Sequence, residues 1–62
     1  MDDMRFLQLY NIVKMGIPGT TFPVLKDFLN RQDAERKAWF DKVSMMDLAD
    51  WVVETMREEA AK

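Results

Sequence analysis

The chain has 62 residues, 9 Lys and Arg against 11 Asp and Glu, and a formal net charge of −2. Without His or Cys it has no imidazole base, no thiol nucleophile, no thiolate metal ligand and no disulfide to brace a small fold. An apolar share of 48% is too high for a disordered tail, yet a domain this short buries only about 60% of its unfolded surface.

Between Met4 and Met15, polar residues fall only at Arg5, Gln8, Asn11 and Lys14, every third position. Phe6, Leu9, Tyr10 and Val13 follow the i, i+3, i+4, i+7 spacing of an amphipathic helix. Met4, Leu7, Ile12 and Met15 widen that apolar face. Asp2 or Asp3 suits the N-cap, and Lys14 suits the last turn, where it complements the helix dipole. Gly16 suits a left-handed terminating residue, Ile17 the hydrophobic contact of a Schellman motif, and Pro18 blocks continuation. A first helix is therefore expected over about residues 3–15.

Gly16 to Thr21 is the one turn-rich segment. Thr20 or Thr21 can cap a second helix, with Pro23 tolerated in its first turn and Leu25, Phe28 and Leu29 facing inward. Residues 30–37 then hold no large apolar side chain. Either the second helix ends near Asn30 and Asp33 caps a third through Ala38, Trp39, Phe40 and Val43, or one helix runs on to Val43. In the second case Asp27–Arg31 and Asp33–Lys37 pairs would stitch its solvated middle by a few tenths of a kcal/mol each. The break is preferred, because one long isolated helix leaves little core for so short a chain. It divides the region into helices over about 22–30 and 33–43.

Ser44-Met45-Met46-Asp47 has the pattern of a capping box. It leads into Met45, Leu48, Ala49, Val52 and Met56 on one helical face, with Trp51 and Val53 flanking, over about residues 45–60. No segment alternates with period two, and no Asn-Gly or Asp-Gly hairpin turn is present. The expectation is a single all-α domain, a compact bundle of three to four short helices.

The G-x-x-G of Gly16-Ile17-Pro18-Gly19 resembles the loop with which KH domains clamp single-stranded nucleic acid. That resemblance covers four residues, without the basic residues or strands of the KH pattern. The turn also resembles that of helix-hairpin-helix modules, whose backbone N–H groups hold a DNA phosphate. It departs from their G-x-G spacing, and Pro18 removes one donor. The resemblances imply, as the alternative reading, a nucleic-acid-binding regulator using Gly16–Thr21 with Arg31, Arg36, Lys37 and Lys42. Asp33, Glu35 and Asp41 on the same segment nearly cancel that field, and a nucleic-acid face is usually strongly basic. A helix stop followed by a turn is the simpler reading.

Asp47, Asp50 and Glu54 share a helix face but supply too few converging oxygens for Mg²⁺ or Ca²⁺. Ser44, the only serine, serves better as a cap than as a nucleophile. The sequence is therefore read as non-enzymatic, with no metal, cofactor or small-molecule substrate. No apolar run approaches the roughly 20 residues of a membrane span. Asp2 and Asp3 stand where a secretory signal needs basic residues. A soluble, cytoplasmic protein is expected.

The apolar surplus points elsewhere. The chain carries 6 Met, 4 Phe, 2 Trp and 1 Tyr. Its first helix is apolar over two-thirds of its circumference, where a stripe a little over 100° wide would serve one core. Trp39-Phe40 and Trp51-Val52-Val53 repeat the imbalance, since helical neighbours point about 100° apart. Aromatic and Met side chains are also the types enriched where proteins meet. These residues predict a protein–protein interaction module, self-associating as a homodimer or docking on another protein. The contacts are expected at Phe6, Leu9, Tyr10, Val13, Trp39 and Trp51.

Overall fold

Four α-helices and no strands make up the computed structural model, which describes residues 1–62: α1 Asp3–Gly16, α2 Phe22–Asn30, α3 Ala34–Lys42 and α4 Met45–Ala60. Each begins at a side chain that accepts from a backbone N–H three residues on. Asp2 accepts from Arg5 at 2.7 Å, Thr21 from Val24 at 3.4 Å, Asp33 from Arg36 at 2.8 Å and Ser44 from Asp47 at 3.3 Å. Such caps satisfy donors that a helix start leaves orphaned. The chain breaks between α2 and α3 where it turns polar, and Asp33 serves the α3 cap instead of pairing with Lys37. The Asp27–Arg31 pair does form, at 3.1 Å with both side chains exposed, where it adds a few tenths of a kcal/mol.

The end of α1 differs from the expected left-handed stop. Gly16 is the last helical residue, and neither glycine has a positive φ. Closeness is what the position requires: a Cβ on Gly16 would lie 3.3 and 3.4 Å from the two γ-methyls of Val53 on α4. Glycine lets the two helices approach at that point.

Two arginines fasten helix ends across the fold. Arg5 on α1 donates from Nε and Nη2 to the Phe40 carbonyl at 3.0 and 2.7 Å, and from Nη2 to the Val43 carbonyl. It thereby caps the C-terminus of α3. Arg57 on α4 donates to the Gly16 carbonyl at 2.8 Å and caps α1. A cation at a helix C-terminus meets both the orphaned carbonyls and the negative end of the dipole.

The core is one cluster drawn from all four helices: Leu9 and Val13, then Leu25, Phe28 and Leu29, then Phe40, then Leu48, Ala49 and Val52. The α4 helix has neighbours on both flanks. Its Val53 side meets Gly16, while the Trp51 ring lies 5.7, 5.7 and 5.6 Å from the rings of Phe28, Trp39 and Phe40. That double coverage explains how Trp51, Val52 and Val53 all find apolar company within one small chain. No helix is long and apolar enough to cross a membrane.

Thr20, just before α2, is buried, and its hydroxyl has no hydrogen-bond partner. An unpaired buried hydroxyl costs on the order of 1–3 kcal/mol. The isosteric change Thr20→Val should therefore raise stability by about 1 kcal/mol, seen as a higher urea midpoint at unchanged slope. A lower midpoint would mean that the hydroxyl is bonded in solution.

Candidate interaction surface

The six residues expected at an interface divide into three groups. Leu9 and Val13 are 0% exposed and belong to the core, so as contact residues they are corrected. The helical spacing that singles them out marks the face a fold buries, which makes its best-matching members the least accessible.

Trp39 and Trp51 are half-buried and face each other edge-on, with centroids 5.7 Å apart and ring planes at 75°. The Arg36 guanidinium lies 4.9 Å from one ring centroid and 4.8 Å from the other. With Phe28 and Phe40 beside them, much of the surplus around the tryptophans is taken up within the chain. Cation–π contact of this kind favours holding the Arg36 side chain over the rings.

Phe6 and Tyr10 are half-buried on the flank of α1 toward α2, with Phe22 at 5.7 and 4.2 Å from their ring centroids. Phe22 itself remains 47% exposed. Beyond Tyr10, on the side of α1 turned away from Leu9 and Val13, Met4, Leu7 and Met15 are exposed, Leu7 at 42%. Sequence reasoning treats these last three only as a widened apolar face. Phe22 continues this apolar surface inward through Tyr10 and Phe6, while the exposed amides of Gln8 and Asn11 separate Met4 from Met15. Lys14 leans over this surface, its Nζ 5.2 Å from the Tyr10 centroid.

A cleft of ≈ 310 Å³ opens between the start of α1, the end of α2 and α3. Phe6, Leu29 and Phe40 line it, together with Lys26, Lys37, Asp3 and Asp41. The Met1 ammonium pairs with Asp41 at 3.2 Å, so the rim carries both signs and builds no single-sign field. Asp50, Glu54 and Glu58 border a second, more open groove beside Arg57, and no three carboxylates in the chain converge closely enough to hold a metal ion.

In the turn after α1, the Ile17 N–H donates to the Val13 carbonyl and the Thr20 N–H to the Ile17 carbonyl. Pro18 has no N–H to give. Of the basic residues in the alternative reading, Arg31 pairs with Asp27, Arg36 lies over the tryptophans, Lys37 borders the cleft and Lys42 ends α3. No protein-family model matches the chain, no curated protein matches it, and no solved structure matches it.

Proposed function

We propose that this protein is a small non-enzymatic interaction module that docks, and self-associates, through the outer face of α1 extended by Phe22. The observation that carries the reading is the apolar surface that exposed Leu7 and Phe22 form around half-buried Tyr10, with Met4 and Met15 also exposed on α1, while the two tryptophans are half-buried against each other and against Phe28 and Phe40. Contiguous apolar surface of this kind is a mark of a binding site, and Met and aromatic side chains adapt well to a partner.

The energetics place such a contact in a reversible range. Removing a large apolar side chain wholly from water yields roughly 1.5–3 kcal/mol. The side chains on this face are only part-exposed, so the gain is of the same order as the association cost of about 4–15 kcal/mol, as expected for a weak, reversible contact. The association should respond to protein concentration.

Leu7→Glu is the direct probe. The side chain is 42% exposed and outside the core cluster, so monomer stability should change by no more than about 0.5 kcal/mol. In the native chain the unfolding midpoint should rise with protein concentration, and in Leu7→Glu that dependence should vanish. A native midpoint independent of concentration would count against self-association.

A further inference from the structure

The outer face of α1 has an internal symmetry that specifies how it can pair. Asp3, Leu7, Tyr10 and Lys14 follow one another at intervals of four, three and four residues, the spacing of a heptad seam. Beside them Met4, Gln8, Asn11 and Met15 repeat the same intervals one residue on. The first stripe is complementary to its own reverse, with an acid at one end, a base at the other and two apolar residues at its centre; the second, Met, amide, amide, Met, reads the same from either end.

The seam is only partly covered in the folded chain. Asp3, at the edge of the α1–α2–α3 cleft, and Lys14, over the Tyr10 ring, are exposed and take part in no ion pair, and Leu7 is exposed beside half-buried Tyr10, which Phe22 covers on one side. Asp3 lies in the first turn and Lys14 in the last, so α1 is acidic at its positive end and basic at its negative end. A second α1 laid parallel would set Asp3 against Asp3 and Lys14 against Lys14. Laid antiparallel, it sets Asp3 of each copy against Lys14 of the other, and Leu7 against Tyr10. A two-fold interface requires such a self-complementary patch.

We infer that the partner at this face is a second copy of the chain, docked by an antiparallel α1–α1 contact with reciprocal Asp3–Lys14 pairs around a Leu7–Tyr10 centre. The inference rests on the self-association reading given above and adds to it the orientation and register of the two copies. Phe22 borders the same seam through its contact with Tyr10 and would be covered as the second helix seats.

Charge reversal tests the register separately from association itself. Asp3→Lys leaves a chain with two lysines on the seam, and Lys14→Glu one with two acids. Each variant alone should self-associate about ten- to a hundredfold more weakly than the native chain, because both reciprocal contacts become like-charged. Mixed in equal amounts, the two should form a heterodimer in which both contacts are again of opposite sign. The double variant D3K/K14E should pair with itself. Asp2, not Asp3, caps α1, so the helix start survives the exchange, and circular dichroism of each variant in dilute solution checks that it does. A native chain that associates while the variants behave as it does, or a mixture that stays monomeric, overturns the antiparallel register and leaves the interaction surface standing. Absence of association in every sample, native chain included, overturns both.

Discussion

Arg5→Ala should lower stability by about 2–3 kcal/mol, far more than a surface substitution normally does. Its guanidinium makes three hydrogen bonds to two carbonyls, those of Phe40 and Val43, at the end of α3. Hydrogen bonds from a charged donor contribute about 1.5–3 kcal/mol each in isolation, and a partly buried cation at a helix C-terminus up to about 2. These contributions overlap, and water can reach part of the vacated site, so the sum is not expected. Arg5→Lys keeps the charge but loses the planar fork, and should recover less than half of the loss. Urea unfolding reads both variants through the midpoint at constant slope. An Arg5→Ala midpoint indistinguishable from that of the native chain would mean that α1 and α3 are held by the core alone.

Phe28→Ala should leave the chain predominantly unfolded at 25 °C. Phe28 is among the largest wholly buried side chains and lies 5.7 Å from Trp51 in the aromatic cluster. Truncating a buried Phe costs about 3–5 kcal/mol through lost transfer energy and the cavity left behind. A core in a chain of this size rarely supplies more than about 3–5 kcal/mol in total. Phe28→Leu fills most of the space and should remain folded with a lower midpoint. Tryptophan emission reports the outcome directly, because the only two tryptophans adjoin the mutated ring or its neighbours. Cooperative unfolding of Phe28→Ala with native emission would show that the core is not organised around this residue.

The helix starts were legible because capping is local: Asp2, Thr21, Asp33 and Ser44 each act within three residues of their own position. The break after Asn30 was legible for the same reason, as a loss of apolar periodicity. The arginine fastenings were not, since Arg5 reaches residues 35 and 38 positions away and Arg57 one 41 positions away. The role of Gly16 does not follow from the sequence, because a left-handed stop and a close helix approach demand the same residue, and only the position of Val53 separates them. Trp39 and Trp51 looked like surplus under the assumption that each helix faces one neighbour. Since α4 is covered on two flanks, both rings are accommodated.

At the candidate surface, the inward pattern of Leu9 and Val13 overshadowed the outward one. A seam of residues 3, 7, 10 and 14, acidic at one end and basic at the other, was already readable. Which of the two stripes on α1 faces solvent depends on where α2 and α4 pack, and that is tertiary information.

Sedimentation equilibrium of the native chain beside Leu7→Glu bears most directly on the docking face. The native mass should climb with concentration from 7.3 kDa toward twice that value, while Leu7→Glu stays at the monomer mass with the same helix content. A native chain fixed at the monomer mass at every concentration, or a Leu7→Glu variant that associates as the native chain does, would contradict the assignment of this face.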